Sequence, residues 1–171
     1  MLEKLQSIPA FTAALALFLM PALLGNTPFQ GAPKKPNIIQ LTSDAWKAFD
    51  QKKYSHAIEQ ANRCIEDYQD QANRDETGLE DKAKREKTEP PPVGKVSEQQ
   101  KAQIFAQGVV NDVAACLWIK GRSSQELGQI DQAKQAYESA CKYKYARTWD
   151  PNGWFWSPSQ DACDRLKRLT K

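Results

Sequence analysis

The sequence predicts an all-α fold of two helical hairpins closed at the C-terminal end by a short helix. Two observations carry this expectation. The first is a repeated spacing of small residues, with Ala45, Ala57, Ala61 and Cys64 in one stretch and Gly121, Ala133, Tyr137 and Ala140 in the other. Antiparallel helices approach closely only where small side chains face each other, and the polar turns Gln51-Lys52-Lys53 and Gly128-Gln129 have the length such a hairpin needs. The second is a sustained helical pattern from Ser97, where Gln100 completes a capping box, to Leu127.

Both stretches carry a larger residue at the turn, Tyr54 ahead of Ala57 and Ile130 ahead of Ala133, placed to plug the open end of the hairpin. With that feature the pattern resembles the tetratricopeptide repeat, a helix-turn-helix of roughly 34 residues with small residues at these offsets. The resemblance implies stacked hairpins and a surface that holds a partner. The units are degenerate: Leu41 and Leu117 stand where the family has an aromatic, Asp44 and Lys120 where it has a bulky residue, and no proline closes either unit. From Ala57 to Ala133 is 76 positions, so a segment interrupts the array.

The elements follow in order. Ile8 to Gly25 is the one long apolar run, broken by Pro9 and Pro21 and preceded by Lys4. It reads as a signal peptide over residues 1–25, with an uncleaved N-terminal anchor as the alternative; either exports the remainder to the periplasm or cell envelope. Residues 26–37, rich in proline, glycine and lysine, read as a flexible linker, and the helical domain spans 38–171. Its first helix is expected from an N-cap at Thr42 or Ser43 to Phe49, and its second from Tyr54 to Tyr68 or beyond.

Residues 70–96 form a charged insertion. From Asp70 to Lys87 the only large apolar residue is Leu79, so a solvated, partly helical excursion is expected. Pro90, Pro91 and Pro92 then stop any helix, and Val93 to Val96 re-enters the fold. The central helix is apolar on nearly every face from Val113 to Ile119, as in a helix buried between neighbours, with Gly108 and Gly121 as places to bend or to admit a close neighbour. Gln129 to Tyr143 supplies its partner. Ser157 as N-cap, Pro158 at the first helical position and Gln160 in a second capping box predict a helix from Pro158 to Leu169. Ala162, Cys163, Leu166 and Leu169 face inward and Arg165, Lys167 and Arg168 outward. It has the character of a terminal cap.

Composition excludes several functions. A net charge of +3, with lysines interleaved among acids, gives no field for nucleic acid. The four cysteines contain no C-x-x-C pair, so neither a thioredoxin-like site nor a zinc knuckle has support, and no cofactor or metal is implied. In a stacked array Cys64 neighbours Cys116 and Cys141 neighbours Cys163, which favours those two disulfides; the alternative is that each is a small buried hydrophobe. The sole histidine, His56, follows the first turn and is expected to be exposed. Most acids lie in charged runs, not in a paired-carboxylate cleft, and Asp112, inside the apolar helix, is the one acid placed for a perturbed pKa. The chain is therefore not expected to be an enzyme.

The least ordinary stretch is Tyr143 to Ser157, with three of the five tryptophans within eight residues. Tyr145, Arg147, Trp149, Asp150, Trp154 and Trp156 are candidate contact residues, since tryptophan, tyrosine and arginine dominate interface hot spots. The alternative is that Asp150-Pro151-Asn152-Gly153 is a tight turn whose tryptophans pack the last helix. The segment from Asn111 to Gly121 with Tyr145 to Pro158 is similar to a small group of exported bacterial proteins with tetratricopeptide-like helices and a C-terminal aromatic motif. Some of that group are described as glucanase precursors; the resemblance implies a fold and carries no catalytic residue over.

The leading expectation is an exported interaction or scaffold module of the envelope with a protein or peptide partner. It would bind through the concave side around Trp46 and Phe49 or through the Trp149–Trp156 loop. The alternatives are a carbohydrate-binding or glycan-processing accessory protein using that loop, and a small subunit of a membrane complex anchored through residues 8–25.

Overall fold

The computed structural model describes residues 36–171; the expected signal peptide or anchor and residues 26–35 of the expected linker lie outside them. The described chain is all-α apart from one small hairpin. Its elements are α1 (Ile38–Asp50), α2 (Tyr54–Glu86), α3 (Glu98–Phe105), α4 (Gly108–Glu126), α5 (Ile130–Ala140), β1 (Thr148–Asp150), β2 (Trp154–Trp156) and α6 (Pro158–Leu169). α4 is the hub and packs against α1, α2, α5 and α6. Every residue from Val113 to Ile119 is buried, the all-round burial that its apolar sequence demands.

The repeated small residues form the two hairpin seams. Ala45, Ala57, Ala61 and Cys64 are fully buried where α1 meets α2, as are Ala133, Tyr137 and Ala140 where α4 meets α5. The turns match as well. Lys52 (φ 57°) and Gly128 (φ 73°), 76 positions apart, both adopt the left-handed conformation. The next amide reaches back to close the preceding helix, Lys53 N to the Ala48 carbonyl at 2.9 Å and Gln129 N to the Ser124 carbonyl at 2.8 Å. The plugs differ, because Tyr54 packs on Phe49 while Ile130 is exposed.

Several boundaries depart from expectation. α1 begins at Ile38 because the Asn37 side chain, and neither Thr42 nor Ser43, caps it by accepting from Ile39 N at 3.0 Å. The charged stretch from Asp70 is no excursion, since α2 continues unbroken through 33 residues to Glu86. Its buried or half-buried stripe is Ala72, Glu76, Leu79 and Ala83, at the spacing of one helix face. That stripe meets the segment after α5: Tyr143 Oη donates to Asn73 Oδ1 at 2.7 Å, and Tyr145 N donates to Glu76 Oε1 at 3.0 Å. Burial raises the Glu76 pKa, an effect the Tyr145 N–H opposes, and Oε2 is buried without a partner among the described residues.

Lys87, in the left-handed conformation, terminates α2 ahead of the three prolines. The expected single central helix is two, α3 and α4, which meet just before Gly108 at an angle of 75°. No single helix among the described residues is long and apolar enough to cross a membrane.

One of the two expected disulfides is present. Cys141, at the C-cap of α5, is bonded to Cys163 in α6 with Cα atoms 5.3 Å apart. The expected Cys64–Cys116 bond is not formed: both are free, buried thiols beside the Thr42 hydroxyl, whose Oγ1 lies 3.8 Å from Cys64 Sγ and 3.5 Å from Cys116 Sγ. Burial pushes the Cys116 thiol well above its ordinary pKa, and Cys64 adds to the rise. α6 keeps its predicted span, and Ser157 Oγ accepts from Gln160 N at 3.2 Å.

Candidate binding groove

The tryptophan-rich stretch forms an antiparallel hairpin in which Thr148 pairs with Trp156, Trp149 with Phe155 and Asp150 with Trp154. Its turn is tight, as the Asp-Pro-Asn-Gly sequence predicts. Asp150 Oδ1 accepts from Asn152 N at 2.8 Å, the Asp150 carbonyl accepts from Gly153 N at 2.9 Å, and Gly153 takes φ 95°. Gly94, also in the left-handed region at φ 88°, exchanges both backbone hydrogen bonds with Phe155, at 2.7 and 2.9 Å. The segment after the prolines thus re-enters the fold as a third partner of the hairpin.

Residues on successive pairs of a ladder point to opposite faces. Trp149 and Phe155 share one face, where both lie against Phe105 with ring centroids 6.3 and 5.5 Å away. Trp156, on the other face, meets Trp118 of α4 at 5.0 Å and Trp46 of α1 at 6.4 Å, edge to face in both cases. Trp46 and Trp118 are 5.4 Å apart, and Phe49 lies against both. Such pairs contribute about 0.5–1.5 kcal/mol each beyond the area they bury. The cluster fixes the hairpin on the bundle.

The result is a groove of about 580 Å³ whose walls contain Trp46, Trp118, Trp149, Trp154 and Trp156. These are all five tryptophans of the chain. Asp50, Asp150 and Asp161 complete much of the rim, with Thr148 and Pro151 between them. Asp161 Oδ2 accepts from Trp118 Nε1 and from Arg165 Nε, each at 2.5 Å, so the carboxylate holds the indole in place. Thr148 Oγ1 is buried with no partner among the described residues. Trp149 and Trp154 are each 38% exposed, whereas Trp46, Trp118 and Trp156 are buried or half-buried.

No family model, curated protein or solved structure matches the chain. Its site is therefore read from its own geometry.

The two candidate surfaces weighed from the sequence meet, because Trp46 and the hairpin tryptophans line the same groove. Phe49 stands behind it as a support for Trp46 and Trp118. Arg147 is turned away from it: Nε donates to the Pro91 carbonyl at 2.7 Å, Nη2 donates to the same oxygen, and Nη1 donates to the Lys144 and Ala146 carbonyls at 2.9 and 2.6 Å. Burial lowers its pKa, and the nearby Glu76 opposes that. It clamps the proline run and is not on the walls of this groove. Tyr145 lines a separate depression with Leu79, Ala83 and the prolines.

Sequence reasoning missed Trp118, Asp161, Asp50 and Thr148. Trp118 lies in the helix read as uniform core, and the only signal for it was the count of tryptophans itself.

A second depression of about 380 Å³ shares Trp46, Thr148 and Trp149 with the first and contains Asp112. Burial raises the Asp112 pKa from 3.8 to about 6, and the neighbouring Thr42 hydroxyl partly opposes this. His56 is exposed and lies 3.2 Å from Glu59. Among the described residues no cluster of histidine, cysteine, aspartate or glutamate is arranged to hold a metal ion.

Proposed function

We propose that the chain is an exported, non-enzymatic helical-repeat module that holds a segment of a partner protein in its tryptophan groove. The observation that carries this reading is the convergence of all five tryptophans, from α1, α4 and the hairpin, on one open groove. Burying an aromatic ring contributes a large apolar area at little cost in side-chain entropy, which is why such residues anchor interfaces. The two small-residue seams with matching turns support the tetratricopeptide-like part of the reading. The half-buried Cys141–Cys163 bond fits an oxidising compartment and, with the apolar run Ile8 to Gly25, supports export to the periplasm or envelope.

The exposed rings of Trp149 and Trp154 beside Asp50 and Asp150 also favour a second reading, a glycan stacked at the mouth of the groove. One variant separates a working groove from a structural one. Trp154→Ala removes a ring at the rim and leaves the Trp46–Trp118–Trp156 cluster in place. It is expected to abolish cross-linked capture of the native partner with an unchanged helical circular dichroism spectrum. Capture at wild-type level by this variant overturns the groove as the docking site. Tryptophan fluorescence titrated with cell-wall glucans and peptidoglycan fragments tests the glycan reading on the same protein.

A further inference from the structure

We infer that the segment docked in this groove is basic and enters with an arginine side chain; the inference rests on the docking reading above and gives the partner its chemistry. The groove has three carboxylates on its walls and no lysine, arginine or histidine, although the whole chain carries a net charge of +3. Arg165 offsets Asp161, so the unpaired charge on the lining is that of Asp50 and Asp150, negative where the molecule is net positive, and this complementarity selects a cation.

The walls are suited to that charge in a second way. The face of an indole ring attracts cations, best when water is excluded, and a guanidinium stacks on it more often than an ammonium does. The chain already uses these rings so: the guanidinium carbons of Arg122 and Arg165 lie 5.4 and 5.8 Å from the Trp118 ring centroid, and Lys101 Nζ lies 4.8 Å from that of Trp149. Among the described residues no cation covers Trp46, Trp154 or Trp156, which leaves three rings for an incoming one.

The carboxylates are not equally available. Asp161 is committed to Trp118 and Arg165. Asp150 uses Oδ1 on Asn152, and its other oxygen has no partner among the described residues. Asp50, exposed at the end of α1, has neither an ion pair nor a side-chain hydrogen bond among the described residues. Asp50 and Asp150 are therefore the acids that answer the guanidinium, and a planar carboxylate meets its fork of donors in a geometry that an ammonium does not match. An anionic segment would face Asp50 and Asp150, which no lining cation compensates.

The test titrates the folded protein with an acetylated octapeptide of alternating glycine and arginine, and with its citrulline counterpart, which has the same shape and no charge. Tryptophan fluorescence and calorimetry follow binding. The arginine peptide is expected to bind about tenfold or more tightly than the citrulline peptide, and to weaken as salt rises from about 0.05 to about 0.3 M. The double variant Asp50→Asn, Asp150→Asn is expected to lose that preference, and asparagine at 150 retains the oxygen that accepts from the Asn152 amide.

Equal binding of the two peptides overturns the inference, as does binding of a neutral hexasaccharide with no response to the arginine peptide. If neither peptide binds while Trp154→Ala still abolishes partner capture, the basic partner is wrong and the docking groove stands. If Trp154→Ala leaves capture intact, the docking reading itself falls.

Discussion

The two helical hairpins share a turn, a spacing and a seam, yet they are filled in opposite ways. In the α1–α2 hairpin the seam positions are Ala45 and Ala61, both buried and both small. In the α4–α5 hairpin the corresponding residues are Gly121 and Tyr137, and the ring lies so close that a Cβ added at Gly121 would stand 2.5 Å from Tyr137 Cε1. One hairpin divides the space between two small side chains; the other gives all of it to one large ring. The second is further tied to α6 by Cys141–Cys163, while the first has no disulfide and meets the second where the free thiols of Cys64 and Cys116 share Thr42. Equivalent spacing therefore fixes how the helices meet and leaves open what each hairpin is for.

The largest break in this comparison is Tyr137→Ala, which empties the α4–α5 seam and removes the hydroxyl's bond to Gln125 Oε1 at 2.9 Å. It should cost about 3–5 kcal/mol, read by urea unfolding. In the double variant Gly121→Ala, Tyr137→Ala the seam imitates Ala45 and Ala61, so the combined loss should be smaller than the sum of the single losses. Removing the disulfide with Cys141→Ser and Cys163→Ser opens a link across a sequence separation of 22 and should cost about 3 kcal/mol in the same measurement. Reductant should lower the melting temperature of the wild type and leave that of the double serine variant unchanged. Gly121→Ala alone overpacks the seam and should cost about 1–3 kcal/mol.

Between the hairpins, Asp112 tests the electrostatics. Its pKa in the fold, about 6, exceeds its ordinary 3.8 because of burial. The folded chain thus binds this proton more tightly than the unfolded chain does. The cost of ionisation is fully present above about pH 6 and disappears as the pH falls below about 4. Asp112→Asn should raise stability by on the order of 3 kcal/mol at neutral pH and by almost nothing at about pH 3, which unfolding curves at the two pH values will show.

The smallest test concerns the turns. Lys52→Gly should stabilise the first by about 0.5–1 kcal/mol, and Gly128→Ala should destabilise the second by about 1 kcal/mol, because only glycine takes a left-handed conformation without strain.

What was legible in the sequence follows from residue size. Alanine and glycine at helical spacing marked the seams, the serine caps at 97 and 157 marked two helix starts, and an Asp-Pro-Asn-Gly run marked the turn of the hairpin. Three things were not legible. α2 runs on to Glu86 along a stripe of Ala72, Glu76, Leu79 and Ala83, which is covered by residues distant in sequence, among them Tyr143 and Tyr145 with bonds to Asn73 and Glu76. The strands are three residues long, and nothing in Thr-Trp-Asp or Trp-Phe-Trp distinguishes a ladder from a loop until Gly94 pairs beside it. Arg147 looks like a contact residue in the sequence because its hydrogen-bond acceptors, the carbonyls of Pro91, Lys144 and Ala146, are backbone atoms that leave no mark in side-chain chemistry.

The position of α4 has a consequence for how the chain is made. Its neighbours α1 and α2 precede it, and α5 and α6 follow it. During synthesis α4 leaves the ribosome with one flank covered and the other bare, and residues of the Val113–Ile119 segment stay open to water until α5 and α6 have emerged. The core around α4 is thereby completed only after α5 and α6 have been made, and until then its apolar flank is the surface most exposed to wrong contacts.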